Sequence, residues 1–176
     1  MDVQDVADGV NGDSTYPVIG STHGWLPDDE LFAAMLTDTC VLITGRPDVS
    51  AALAHRIYAE SGWRHGRFTV IDCAQHRGLE TRLVTLLARD QPGPDEPHAE
   101  LSQAETVFLQ EVGKTPDPLQ AHLADQLGRL RIGGQRRRRV IASTSECLAP
   151  RVARGAFDAR LFYRLNTVHL RLADHG

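Results

Sequence analysis

Apolar residues in this chain gather in short dense runs, separated by stretches whose apolar positions recur every three or four residues. Thr39 to Thr44 (TCVLIT) is a compact β-rich run that stops at Gly45, and it reads as a buried parallel strand. Arg67 to Asp72, Thr106 to Leu109, Arg139 to Ser143 and the alternating Thr167 to Leu172 read as four more strands. Between them lie helical patterns. Leu26 to Glu30 resembles a helix start with acidic residues in its first turn, followed by an apolar face of Leu31, Met35 and Leu36. Val49 to Glu60 carries Leu53, Ala54 and Ile57 on one side. Leu79 to Arg89 is a third helix, and Pro118 to Leu130 a fourth, with Leu119, Leu123, Leu127 and Leu130 at helical spacing and Gly133-Gly134 as its stop. Two short helices follow, near Leu148 to Arg154 and around Asp158 to Leu165. Gln91 to His98, with three prolines and a glycine, is a loop.

Strands that alternate with helices predict a parallel sheet covered on both faces, a three-layer α/β/α sandwich. Residues 1–24 show little periodicity and read as a flexible lead-in; residues 25–176 then form one α/β core domain. A length of 176 residues suits one such domain and not two.

Composition narrows the function classes. Hydrophobic residues make up 41% and charged residues 24%, ordinary for a globular protein. No apolar run approaches the roughly 20 residues that span a bilayer, and the polar, acidic start does not resemble a signal peptide. Cys40, Cys73 and Cys147 are few and scattered, which argues against a disulfide framework and for a cytoplasmic setting. The net charge of −4 gives no global pull toward nucleic acid, so no DNA partner and no membrane are expected. Arg129 to Arg139 holds six arginines, and its Arg136–Arg139 end reads as a solvated basic turn leading into a strand. The eight histidines show no metal-ligand spacing, so no metal site is expected. Cys73, directly after a strand, reads as a packing residue.

The turn after the first strand is where a nucleotide-binding α/β protein keeps its phosphate loop, G-x-x-x-x-G-K-[ST]. Glycines there let backbone N–H groups wrap the phosphates, lysine neutralises charge and the hydroxyl holds magnesium. Here the stretch is Gly45-Arg46-Pro47-Asp48-Val49-Ser50-Ala51-Ala52. Gly45 survives; Ser50 stands for the second glycine, Ala51 for the lysine and Ala52 for the hydroxyl. Pro47 lacks a backbone donor and Asp48 adds negative charge. Lys114, the only lysine of the chain, follows a different strand. The expectation is that a triphosphate finds nothing cationic to grip between Gly45 and Ala52.

The third strand ends in Gln110-Glu111, where P-loop ATPases place an acidic pair, the first holding magnesium and the second polarising the attacking water. Gln110 cannot supply the first charge. Glu111 could orient a water, although a lone glutamate at a strand end is ordinarily just solvated.

Three blocks in register carry a family resemblance. The first is Val41-Leu42-Ile43-Thr44-Gly45 with Leu53 to Tyr58, Gly66-Arg67-Phe68 and Asp72-Cys73-Ala74. The second is Thr106 to Gly113 with Pro116, Leu119-Gln120, Leu123, Leu127 and Arg131 to Gly134. The third is Val140 to Ser145 with Gly155, Phe157 and Leu161 to Asn166. Together they resemble the AAA+ domain of sigma-54-dependent transcription activators, the sigma-54 interaction domain. The resemblance implies a P-loop NTPase core, lacking the helical lid that follows the fifth strand in the family. In that family ATP hydrolysis in a ring remodels sigma-54 RNA polymerase through a GAFTGA loop, and Leu79 to Glu105 contains no such motif. Aligned with the family, Ser145 takes the place of the sensor asparagine. Of the two arginines that act in trans, the first falls on Asp158 and the second on Arg164.

The family's nucleotide-site positions are therefore Gly45, Ser50, Ala51, Ala52, Gln110 and Ser145, mostly substituted, with Glu111 and Arg164 as catalytic remnants. Several catalytic parts fail together, each worth several kcal/mol of transition-state stabilisation in a working enzyme. The expectation is a degenerate, non-hydrolysing regulator that acts through protein contacts, capping a ring of intact AAA+ activators, meeting sigma-54 RNA polymerase components or assembling with itself. No cofactor is expected, and ATP with magnesium would bind weakly at most. A weak ATP-binding sensor and a vestigial fragment without function are the alternatives.

Overall fold

The computed structural model describes residues 28–87, 105–130 and 138–172. In chain order the elements are α1 (Asp28–Leu36), β1 (Val41–Thr44), α2 (Pro47–Ala59), β2 (Arg67–Asp72), α3 (Leu79–Leu87), β3 (Glu105–Gln110), a single 3₁₀ turn (Val112–Lys114), α4 (Asp117–Leu130), β4 (Arg138–Thr144), α5 (Leu148–Ala153), α6 (Ala159–Leu165) and β5 (Val168–Arg171). The strands form one sheet in the order β2-β3-β4-β1-β5, and every neighbouring pair is parallel. The lead-in 1–24, the Gln91–His98 loop and the Gly133-Gly134 stop lie outside the described residues.

Side-chain alternation along each strand divides the interior in two. Leu42, Val107, Leu109, Val140 and Ala142 point to one face, where they meet Leu79 and Leu83 of α3, Leu123 and Leu127 of α4, and Leu161 and Leu165 of α6. Val41, Ile43, Phe108, Ile141 and Leu170 point to the other, against Ala34 of α1 and Leu53, Ala54 and Ile57 of α2. This is the expected three-layer α/β/α sandwich. Each fully buried Leu or Ile contributes about 1.5–3 kcal/mol over an exposed one. The central strands β1 and β4 are buried on both faces, which is why Val41-Leu42-Ile43 and Val140-Ile141-Ala142 are unbroken apolar stretches.

Most element ends fall within a residue of the sequence expectation, and the two larger shifts, at the starts of β1 and α2, have identifiable reasons. β1 starts at Val41 rather than Thr39, because Cys40 and Thr39 precede the first paired residue, Val41 opposite Ile141. α2 starts at Pro47 rather than Val49. Pro47 sits at the first helical position, where a missing N–H costs nothing and φ is already helical. The first helical bond runs from the Ser50 N–H to the Arg46 carbonyl, 2.9 Å.

The solvated basic turn expected at Arg136–Arg139 is corrected at its end. Arg138 and Arg139 are the first two residues of β4, and both are buried. Arg138 pairs with the Glu105 carboxylate at 3.4 Å, and the Thr69 hydroxyl donates to that same carboxylate at 2.6 Å. Arg139 has no exposed surface and points to the α1 side, where its guanidinium donates to the Ala34 carbonyl. That carbonyl belongs to the last turn of α1, which lacks intrahelical partners and carries no basic residue of its own. A cation supplied by β4 thus caps the negative end of α1. Burial lowers the Arg139 guanidinium to about 10, the cost of placing a charge there. Arg136 and Arg137 lie outside the described residues.

Candidate nucleotide-binding site

In open parallel α/β sheets, ligands bind outside the carboxyl ends of the strands. Here those ends bring together the turn after β1, the residues after β3 and the residues after β4. The Gly45 N–H donates to the Thr144 carbonyl at 3.0 Å, and the Leu172 N–H to the Thr44 carbonyl at 2.8 Å, so the exit from β1 is pinned on both sides. A β-carbon on Gly45 would stand 2.6 Å from the Leu172 β-carbon. The one glycine kept from the phosphate-loop pattern is therefore required by packing alone.

Beyond Gly45 the chain makes no loop. Only Gly45 and Arg46 separate β1 from α2, and from Pro47 onward the backbone is helical. A phosphate loop holds these positions open so that successive N–H groups converge on the anion. Here Asp48, Val49 and Ser50 already belong to the helix. Ser50 is fully buried and its hydroxyl has no partner, Ala52 is buried, and Ala51 is half-buried. One expectation needs correcting: the stretch does contain a cation. Arg46 is exposed, but its guanidinium grips Asp48 through Nε at 3.3 Å and Nη2 at 2.9 Å. Desolvation opposes it, yet the Val49 N–H and Arg46 hold the Asp48 carboxyl below its ordinary range.

Glu111 is not solvated, contrary to the sequence expectation; it is buried at 8% exposure. Its backbone lies in the left-handed region, φ 54 and ψ 47, a conformation that costs a non-glycine residue on the order of 1 kcal/mol or more. Its N–H donates to the Ser143 hydroxyl at 3.4 Å. The Ser145 hydroxyl donates to Glu111 Oε2 at 2.7 Å, and Oε1 is buried without a hydrogen-bond partner. Gln110 is half-buried at the end of β3, where its carbonyl accepts from the Cys73 N–H at 2.8 Å. Cys73 is fully buried, and burial pushes its thiol up to about 11, an inert packing residue as expected.

Lys114 is committed elsewhere. Its ammonium pairs with Glu146, which also pairs with Arg151 at 2.9 Å. Glu146 and Arg151 escaped the sequence reading, because nothing local ties a glutamate after β4 to a lysine after β3. Arg164 is not brought to this cluster. Its guanidinium lies over α4, with Nη1 2.6 Å from where a β-carbon on Gly128 would stand. Asp158, at the position aligned with the other trans-acting arginine, caps α6 by accepting from the Leu161 N–H at 2.9 Å. Among the described residues, no three His, Cys, Asp or Glu side chains are grouped to hold a metal ion. No helix among them is long and apolar enough to cross a membrane.

With this geometry established, likeness to known proteins is informative. The model of the sigma-54 interaction domain matches residues 29–171. The nitric oxide reductase transcription regulator NorR1 of Cupriavidus necator is 32% identical over 154 residues, covering 78% of this chain and 29% of that protein. The regulatory protein AtoC of Escherichia coli is 33% identical over 152 residues, covering 78% of this chain and 32% of that protein. The Nif-specific regulatory protein of Bradyrhizobium diazoefficiens is 30% identical over 173 residues, covering 85% and 29% respectively. The chain thus spans about a third of the length of these relatives. Among solved structures, NtrX from Brucella abortus in complex with ATP superposes with a TM-score of 0.64 at 24% identity, over 82% of this chain and 35% of that one. The P-loop NTPase domain of a sigma-54 activator from E. coli gives 0.61 at 18% identity, over 85% of this chain and 93% of that one. At these identities the two structures speak for the fold, a P-loop NTPase core.

Proposed function

Because this chain belongs to the sigma-54 interaction domain family, we propose that it is a non-hydrolysing member, a cytoplasmic regulator of transcription that works through protein contacts. The observation that carries this reading is the helix that begins at Pro47. A helical turn stands where a phosphate loop would wrap: Pro47 has no N–H to offer and the Ser50 N–H is bonded to the Arg46 carbonyl, so the run of converging N–H groups that cradles phosphate in a working site is cut short. The side chains agree. Ala51 and Ala52 offer neither charge nor hydroxyl, Arg46 is tied to Asp48, and Lys114 is tied to Glu146. ATP and magnesium are not resident groups in this reading.

The proposed partners are intact sigma-54 activators, or a second copy of this chain, met as neighbours in a ring. A subunit that keeps the fold but cannot complete its own ATP site would interrupt turnover at that position, a capping action. The test is to titrate this protein into an intact sigma-54 activator and follow ATP turnover. Turnover should fall as the added chain approaches equimolar, with both proteins in one complex by co-purification. Unchanged turnover with no complex would remove the capping reading.

A weak ATP-binding sensor is the second reading, and one observation favours it. Arg46 is exposed at the start of α2 and could exchange its Asp48 partner for a phosphate. A vestigial fragment without function remains the alternative in which no partner and no nucleotide is bound.

A further inference from the structure

The ends of β3 and β4 are joined by a continuous set of side-chain contacts. Lys114, in the 3₁₀ turn after β3, pairs with Glu146, two residues beyond the end of β4. Glu146 also accepts from Arg151 of α5 at 2.9 Å. Arg151 reaches back to the Gly113 carbonyl at 2.7 Å and across to the Ala156 carbonyl at 3.1 Å, with its guanidinium 5.9 Å from the Phe157 ring centre. The Thr144 hydroxyl closes the second loop on itself, donating to the Glu146 carbonyl and accepting from the Glu146 N–H, both at 3.1 Å. The backbone at Gly113 also packs closely against side chains from the end of β4 and from α5. A β-carbon on Gly113 would stand 2.9 Å from the Thr144 hydroxyl oxygen and 3.2 Å from Leu148 Cδ2.

An exposed ion pair alone fixes little, because solvent screens it and two long side chains must be ordered. This set differs in that one guanidinium bridges a carboxylate and two backbone carbonyls from different segments, the arrangement a planar fork favours. It fixes the turn that follows Glu111 and the residues on either side of Ser145, and Glu111 and Ser145 are themselves hydrogen-bonded to each other. We propose that Lys114, Glu146 and Arg151 form a built-in latch that holds the β3–α4 and β4–α5 loops in one arrangement without nucleotide, so that the strand ends do not respond to ATP. The inference rests on the non-hydrolysing reading above and adds to it that the protein's own side chains tie the two loops together.

The experiment is hydrogen–deuterium exchange on the full chain, following peptides over residues 111–115 and 144–148. It compares wild type, Glu146→Gln and Arg151→Met, each with and without ATP and magnesium, with ATP turnover measured in the same samples. In wild type both loops should be protected without nucleotide, and ATP should leave them unchanged. Either substitution should speed their exchange at least about tenfold while β1 and the centre of β4 keep theirs, since local opening is independent of global unfolding. Amine-selective acetylation should reproduce the effect, because Lys114 is the only side-chain amine. Unprotected loops in wild type, loops that tighten on adding ATP, or variants that exchange like wild type would each overturn the latch. Turnover by the wild-type samples would instead strike at the non-hydrolysing reading, so the two failures are told apart.

Discussion

Gly45 lies so close against Leu172 that a β-carbon there would sit 2.6 Å from the leucine's own β-carbon, closer than real atoms approach. The contact is near-backbone on both sides, so neither residue can swing away. Gly45→Ala should destabilise the domain by about 1–3 kcal/mol, the usual cost of overpacking. Urea unfolding should show a lower midpoint with unchanged slope, partly recovered by adding Leu172→Ala. An unchanged midpoint in Gly45→Ala would mean that the β1 exit is not pinned as described.

Gly128 should behave oppositely. A β-carbon there also meets close atoms, but they are the guanidinium of Arg164, the far end of a flexible side chain. Gly128 lies inside α4, where alanine is favoured over glycine by about 0.5–1 kcal/mol. Gly128→Ala should therefore raise stability by up to that amount and release Arg164 from the helix surface. Thermal unfolding measures the first, and tryptic accessibility at Arg164 the second.

Much of the fold was legible in the sequence, because strand pattern and helical period are local signals. VLIT, RFTVID and TVFLQ carry their own evidence for strands, and Pro47 announces the start of α2, although the helix was read from Val49. Arg138 and Arg139 were misread because a run of arginines looks solvated. Their burial depends on Glu105 and on the Ala34 carbonyl, which sit far away along the chain and come close only in the sheet. Glu111 was misread for the same reason, since its partner Ser145 lies just past the end of the neighbouring strand β4. The loss of the phosphate-site side chains was legible residue by residue. That the helix begins two residues before Val49, at Pro47, was not read, and the cation Arg46 was passed over.

Arg139 offers a test of the cap on α1. Arg139→Ala should cost about 2–4 kcal/mol, since it opens a cavity and removes the donor to Ala34. Arg139→Met keeps the volume and removes the buried charge, and such swaps are often near neutral. Its global stability should stay within about 1 kcal/mol of wild type, while amide exchange in α1 rises. Equal losses in the two variants would show that the charge itself, rather than the packing, holds α1.

His169 sets a pH dependence. Its ring hydrogen-bonds the Thr44 hydroxyl at 2.9 Å, and burial, with Arg171 adding to it, lowers its pKa from the ordinary 6.5. The unfolded chain therefore takes up a proton more readily than the folded one, so stability rises with pH up to about 6.5 and falls as pH drops below it. Denaturation at about pH 5 and about pH 8 should show a smaller difference in His169→Asn than in wild type. A larger or equal difference in the variant would place the dependence on other groups.

The most direct measurement of the central claim is a titration of the pure protein with labelled ATP, with and without magnesium. With helix replacing the phosphate loop at Pro47, no saturable magnesium-dependent binding is expected below about 1 μM, equivalent to about −8 kcal/mol, and no phosphate should be released. Magnesium-dependent affinity tighter than that, or measurable turnover, would contradict it.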